Sequence, residues 1–396
     1  MSLRKLNILQ VTPFYPPGFA FGGPAFASGA LASGLQKLGH QVTTVTSNRN
    51  GDGFSEVPPH LVEPAGNRTI YCATHTGRFL YAPHLASSLR TRLLQADVVL
   101  VPCGAWSYYF LNGCREAQKF RKPYVVYPHG NFDPWALDLK RWRKKIWWQL
   151  FDKKNYRRAA AAVALTREEA SQIRNMGFTG RIEVIPNGVD GAAYQEALSR
   201  EAIEEHFPQL KKNKRWLLFM ARLHPKKGLD VLLPALAKIC RLVPDLQLII
   251  AGPDEDFYGR VVHRLINDLN LHDAVCLTGM VTGSLKNGLL RQAELFLLPS
   301  RGEGFPLGVL EAMAWGLPVI ITRNCNLPEV GENNAGIIVE NEVKDLTYGL
   351  LTLLKDERLR KQFGENGKSL VQEHYTWSQV AISTSKLLLE IVNNNS

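Results

Sequence analysis

Two carboxylates, Glu303 and Glu311, bracket the run Glu-Gly-Phe-Pro-Leu-Gly-Val-Leu-Glu, which follows the apolar segment ELFLLPS and leads into a helix-like stretch from Leu307 to Trp315. Gly302, Gly304 and Gly308 let backbone amides approach a ligand, and a helix opening at Leu307 presents unpaired N–H groups and a partial positive charge suited to phosphate. A carboxylate placed there can accept hydrogen bonds from sugar or ribose hydroxyls. The plainer alternative is a strand-loop-helix junction in which Glu303 caps and Glu311 is solvated. The surrounding glycines and Pro306 favour the ligand.

A second cluster, Ala-Arg-Leu-His-Pro-Lys-Lys-Gly at 221–228, follows the strand-like WLLFM. Arg222 and Lys227 there can clamp a diphosphate and stabilise a departing one. An ordinary basic surface loop is the competing account, and position at the end of a strand decides against it. In the first half, Gly22-Gly23 opens a helical pattern in the first strand-to-helix loop but departs from GxGxxG, so no dinucleotide fingerprint is present. The pair suits a donor phosphate or the acceptor. His129, in Tyr-Pro-His-Gly-Asn-Phe-Asp, stands just beyond the strand YVVY, with Asp133 a weaker candidate. Asp254-Glu255-Asp256 spells DxD, a metal-binding motif of another architecture, but lies in a loop and reads as a turn and helix start, so no metal is expected.

These residues need scaffolds to place them. Apolar runs at Leu6–Val11, Gln41–Thr46, Thr69–Ala73, Asp97–Pro102, Tyr124–Tyr127, Ala160–Leu165 and Ile182–Ile185 alternate with segments long enough for crossover helices, the first from Pro24 to Leu38. The rhythm stops at IPNGVD, 185–190. It resumes with Trp216–Met220, Gln247–Ala251, Val275–Thr278, Leu295–Leu298 and Pro318–Ile321, with a helix from Leu229 to Leu242. Two tandem doubly wound α/β domains follow: 1–189, with 377–396 packing back on it through a helix from Trp377 to Val392, and 190–376. Open sheets bind at the carboxyl ends of their strands, so two such domains are expected to face each other across a cleft.

Length and composition agree with two folded domains, with apolar residues at 45% and charged residues at 21%. The formal charge of +11 suits nucleic acid, an acidic membrane or a phosphorylated substrate. Nucleic acid is not expected, since no recognition motif accompanies the charge. Six cysteines scattered singly read as reduced thiols in a cytoplasmic protein. The amino terminus reads as a first strand, and no window approaches the roughly 18 to 20 apolar residues of a membrane span. Segment 138–158 interleaves Lys and Arg with Trp142, Trp147 and Trp148. It can lie on the anionic inner face of a membrane, accept a lipid-diphosphate head group, or pack its Trp face inside.

With its E-x7-E signature, Arg222 with Lys227, the IPNGVD hinge and the AGPDED turn, nearly the whole chain resembles the family 4 glycosyltransferases, retaining enzymes of the two-Rossmann-domain GT-B architecture. The resemblance implies a hexosyl transfer from a nucleoside diphosphate sugar to a polysaccharide or lipid-linked sugar acceptor. UDP-glucose is the expected donor and GDP-mannose its alternative, with no cofactor or metal. A GT-B phosphorylase or epimerase, or a non-catalytic binding protein, would share the fold. By resemblance Arg222 and Lys227 hold the diphosphate, Glu303 the sugar hydroxyls and Glu311 the ribose. Backbone of Gly304, Phe305, Pro306, Leu307 and Gly308 lines sugar and phosphates, Met280 and Val281 meet the base, and His129 contacts the donor sugar. The C-terminal half thus binds the donor and the N-terminal half the acceptor.

Overall fold

A computed structural model describes residues 4–19, 22–51, 53–54, 57–59, 68–75, 77, 79–102, 104–138, 141–189, 196–254 and 257–395. The chain divides into two units, Met1–Gly188 with Trp377–Ser396, and Val189–Thr376.

The first unit contains β1 (Asn7–Val11), β2 (Gln41–Ser47), β3 (Arg49–Asn50), β4 (Gly53–Phe54), β5 (Arg68–Cys72), β6 (Val98–Pro102), β7 (Tyr124–Tyr127), β8 (Ala161–Ala164) and β9 (Arg181–Val184). Seven of these form a parallel sheet in the order β5-β2-β1-β6-β7-β8-β9, while β3 and β4 pair antiparallel by themselves. The second unit contains β10 (Arg215–Met220), β11 (Leu246–Ala251), β12 (Val275–Gly279), β13 (Leu295–Leu298), β14 (Val319–Thr322) and β15 (Gly336–Val339). They form a parallel sheet in the order β12-β11-β10-β13-β14-β15. Both orders reverse after the first strand, the doubly wound pattern of a Rossmann-like domain. Strands such as β6 and β11 are buried along their whole length, as expected of parallel strands covered on both faces.

Each strand span read from the sequence meets its strand within one residue at either end. Two features escaped that reading. β15 follows a polar stretch and has four residues, and the approach of Gly336 to β14 leaves no room for a side chain: a Cβ there would lie 2.2 Å from Val319 O. The β3–β4 pair is shorter still, with two residues in each strand. The helix Leu229–Cys240 stops before the expected Leu242, which is 65% exposed.

The terminal helix Trp377–Asn394 packs on the helix Gly23–Lys37 within the first unit. Gly34 permits close contact, since a Cβ would sit 2.8 Å from that of Ala381. Nearby, His40 accepts from the Leu6 N–H at 3.1 Å and pairs with Ser385 Oγ at 2.7 Å. In the second unit Val189 N–H donates to Tyr375 O at 2.8 Å, so that unit begins and ends at one point.

Segment 138–158 is not one regular helix. An α-helix, Arg141–Trp147, passes through a π-turn, Trp148–Asp152, into a second α-helix, Lys153–Arg157. The expected internal packing holds for part of it: Trp148 is buried against Phe132 and Tyr156, whereas Trp142 is exposed. No helix among the described residues is long and apolar enough to cross a membrane.

Gly228, after β10, adopts φ +74°, and a Cβ there would lie 1.9 Å from Pro299 O at the end of β13. Gly228→Ala combines left-handed strain with a backbone clash. It should cost about 2 kcal/mol or more, read by chemical denaturation as a lower midpoint.

Candidate functional site

In the second unit the connections leaving β10 and β13 flank the point where the strand order reverses, the usual ligand position in an open α/β sheet. The first connection forms the 3-10 turn Pro225–Lys227 and, after Gly228, the helix Leu229–Cys240. The second forms the loop 299–306 and the helix Leu307–Ala314. Backbone bonds join them: Arg301 N–H donates to Lys226 O at 2.7 Å, as does Ser300 Oγ at 3.0 Å. Arg301 also forms a two-pronged pair with Asp230 at 2.8 and 2.7 Å.

This joining brings Lys227 Nζ onto both oxygens of Glu303, at 2.7 and 2.9 Å. The two side chains are only 15% and 11% exposed, so the pair is largely withdrawn from water. Glu303 is held by its backbone as well, its N–H donating to Asn324 O at 2.9 Å and its C=O accepting from Asn326 Nδ2 at 2.8 Å. Charge on such a pair attracts strongly, but removing one partner strands the other.

The helix Leu307–Ala314 starts at Pro306 with no side-chain cap, leaving its amide end available to an anion. Gly308 lets that end press on β10, since a Cβ would lie 3.2 Å from Met220 O. Neither Gly302, Gly304 nor Gly308 has a positive φ, and at Gly302 and Gly308 the contribution is space and not unusual backbone. At Gly302 that space is taken by Lys226, whose Cε would lie 2.9 Å from a Cβ.

Glu311 is paired with Lys286 of the helix Gly283–Gln292, at 2.9 Å. Between β12 and that helix, Gly279 and Gly283 have φ of +68° and +57°, Met280 is 71% exposed and Val281 is buried. Phe305 and Leu307 pack partly buried against the core. Arg222 shares the connection after β10 and is exposed. Asp254 accepts the Gly259 N–H at 2.7 Å and starts the helix Gly259–Asp268, while Glu255 and Asp256 fall outside the described residues.

In the first unit, Gly22 (φ +70°, no atom within 4 Å of an added Cβ) opens the uncapped helix Gly23–Lys37 beyond β1. His129 follows β7 at φ +51°, with its ring stacked on Tyr127 at 5.8 Å. Burial pushes its imidazole pKa down from 6.5 to about 4, which keeps the ring neutral at pH 7. Asp133 accepts the Ala136 N–H at 3.4 Å at the start of the helix Pro134–Asp138, a capping position.

Sequence reasoning missed Lys286 and Glu169. Buried Glu169 accepts from Gly130 N–H and Leu165 N–H at 2.6 Å each, tying the His129 loop to the end of β8. Burial raises its pKa. Thr166-Arg-Glu-Glu169 spells a capping box, and Thr166 does accept the Glu169 N–H at 3.0 Å, so this signal was present. For Lys286 nothing local pointed to Glu311.

Residues 201–370 match the family described as Glycosyl transferases group 1, and residues 21–192 match Glycosyltransferase Family 4. An uncharacterized glycosyltransferase of Methanocaldococcus jannaschii is 25% identical over 98% of this chain and 100% of its own length. The GDP-mannose:cellobiosyl-diphosphopolyprenol alpha-mannosyltransferase of Xanthomonas campestris is 27% identical over 67% of this chain and 66% of its own. The structure of Anabaena HepE in complex with UDP and glucose is similar in fold, with a TM-score of 0.74 at 18% identity over 97% of this chain and 100% of that one.

Two outcomes test this geometry. Glu303→Gln releases Lys227, so calorimetry should find inorganic pyrophosphate bound about tenfold tighter than by the unaltered protein, the size of one charged hydrogen bond. For His129, whose folded pKa lies below the unfolded 6.5, the stabilising contribution is complete above pH 6.5 and is lost as pH falls through about 4. Melting temperatures of His129→Asn should therefore fall less steeply than those of the unaltered protein between those limits.

Proposed function

The chain belongs to glycosyltransferase family 4, with the GT-B fold of two Rossmann-like domains, and on that premise we propose that it is a retaining hexosyltransferase using UDP-glucose. The acceptor on this reading is a polysaccharide or lipid-linked sugar. The observation that carries it is the shielded Lys227–Glu303 pair beside the uncapped end of the helix Leu307–Ala314. A nucleoside diphosphate sugar needs both partners of that pair, a cation for the phosphates and a carboxylate for the sugar hydroxyls.

In the proposed reaction the bond from the anomeric carbon to the diphosphate oxygen breaks, and an acceptor hydroxyl forms the new bond on the same face. The leaving diphosphate gains negative charge. Lys227, Arg222 and the amides at 307–308 are the groups suited to stabilise it, and their placement before reaction lowers the reorganisation needed. As Lys227 turns to phosphate, Glu303 is freed to accept sugar hydroxyls, with backbone of 304–308 beside it. Glu311, steadied by Lys286, takes the ribose hydroxyls, and backbone at Met280 and Val281 takes the base. The departing phosphate takes the acceptor proton, and Arg222 and Lys227 stand on this reading where a metal would otherwise neutralise the diphosphate. At the carboxyl edge of the first sheet, His129 contacts the donor sugar on this reading, and Gly22 and Gly23 meet a donor phosphate or the acceptor.

UDP with glucose is supported by the HepE complex, and GDP-mannose, the second donor, by the name of the Xanthomonas relative. That name also contains a diphosphopolyprenol acceptor, which supports a lipid-linked one here. Such an acceptor would bring the enzyme to the cytoplasmic face of a bilayer, and 138–158 is the part of the chain suited to meet it.

A thermal-shift panel of UDP, UDP-glucose, GDP and GDP-mannose in the presence of EDTA tests the reading, since a ligand specific to the native state raises the midpoint. UDP and UDP-glucose should stabilise the protein, and Lys227→Ala and Glu311→Ala should abolish the shift. Turnover of UDP-glucose by Lys227→Ala should drop roughly 100- to 1,000-fold. Stabilisation by GDP-mannose alone would move the donor to mannose. No response to any nucleotide would favour a non-catalytic binding protein.

A further inference from the structure

Trp142, Ile146 and Leu150 repeat every four residues, yet they stand 64%, 52% and 66% exposed. Side chains four apart lie on one helical face, so the three make an apolar stripe along the helix Arg141–Trp147 and into the π-turn Trp148–Asp152. The same periodicity places Arg141 and Lys145 on one flank of the stripe and Arg143 on the other, and the Arg143 guanidinium lies 5.1 Å from the Trp142 ring. No ion pair among the described residues involves Arg141, Arg143 or Lys145.

The underside of this segment is anchored. Trp148 is 5% exposed, and the Trp106 indole N–H donates to Lys144 O at 3.2 Å. Trp106 also meets Phe132 edge-on at 5.8 Å. The stripe therefore sits on a packed base, and its exposure is not the fraying of a loose helix. Beside it opens a cavity of about 350 Å³, with Trp106, Trp148 and Met176 among its apolar walls and Arg141, Lys145 and Lys153 among its cations. Apolar walls under a cationic rim match a phosphate head group that continues into hydrocarbon.

We infer that this face docks the protein on an anionic phospholipid surface, with Trp142, Ile146 and Leu150 entering the boundary between head groups and acyl chains and a lipid phosphate seated at the cavity. An apolar stripe flanked by cations is the arrangement that lies in the plane of a bilayer interface. Nucleic acid would use the cations and could stack on Trp142, but gains nothing from Ile146 and Leu150. The inference rests on the lipid-linked acceptor for its purpose, while its chemistry stands apart from the donor site.

The test is sedimentation of the full chain with vesicles of phosphatidylcholine alone and of phosphatidylcholine mixed with phosphatidylglycerol. The protein should pellet with the mixed vesicles and not with the neutral ones, and added salt should weaken the association. Arg141→Gln and Lys145→Gln should each lower the partition coefficient roughly fivefold. The combined Trp142→Gln, Ile146→Gln and Leu150→Gln variant keeps every cation and should lose about tenfold or more. All variants should retain their melting temperature and their stabilisation by UDP, so that failure of this inference is distinguishable from failure of the donor reading. Absence of binding to mixed vesicles at low salt, or equal binding by the combined variant, would overturn it. So would tighter binding of a single-stranded oligonucleotide that is weakened by the charge substitutions alone.

Discussion

The chemistry of the second unit depends on one topological constraint: β10 and β13 pair side by side while their outgoing connections run to opposite halves of the sheet. Right-handed crossovers then send the following helices to opposite faces, and a gap opens at the carboxyl ends of the two strands. Into that gap the first connection delivers Lys227 and the second delivers Glu303 and the amide end of the helix Leu307–Ala314. Hydrogen bonds from Ser300 and Arg301 to Lys226 O hold the two loops in register. A cation and an anion shielded this far cannot both lose their partner cheaply. On the proposed reading, an incoming diphosphate replaces the carboxylate as the lysine's counter-charge and a sugar replaces the lysine at the carboxylate. The site is set to reward a ligand that supplies both.

The first unit repeats the same strand order with different fittings. Its uncapped helix after β1 offers amides at Gly22–Gly23 without an acidic or basic side chain, and its histidine is kept neutral by burial. Glu169 holds the backbone beside His129 from a neighbouring helix, which explains how a loop between proline and glycine keeps a left-handed residue in place. The terminal helix, brought close by the absence of a side chain at Gly34, completes the outer layer of this unit.

Most of the scaffold was legible because parallel strands buried on both faces must be written as short apolar runs, and β6, β7, β11 and β13 are such runs. β15 was not, since four residues beginning with glycine become a strand only when β14 lies alongside. The motif residues Lys227 and Glu303 were legible as types at strand ends, and Glu311 as a type on the helix that follows. The supporting residues were legible unevenly: Glu169, which holds the loop beside His129, announces itself locally through a capping box, whereas Lys286 meets Glu311 only because two helices separated in sequence converge. In 138–158 the composition admitted both a buried and an exposed tryptophan face, and the structure buries Trp148 at the start of the π-turn while Trp142, in the preceding helix, stays exposed.

The sequence by itself determined the two repeats of alternating strand and helix, the family, and which residue types stand at the carboxyl edges, because each depends on hydrophobic periodicity or on a local run of residues. Tertiary structure alone decided which charges neutralise one another, which glycines supply space in place of unusual backbone, and which aromatic faces remain in water. Those properties belong to pairs of segments distant along the chain. A Coulomb pair or a steric contact exists only once folding has brought both members within a few ångströms.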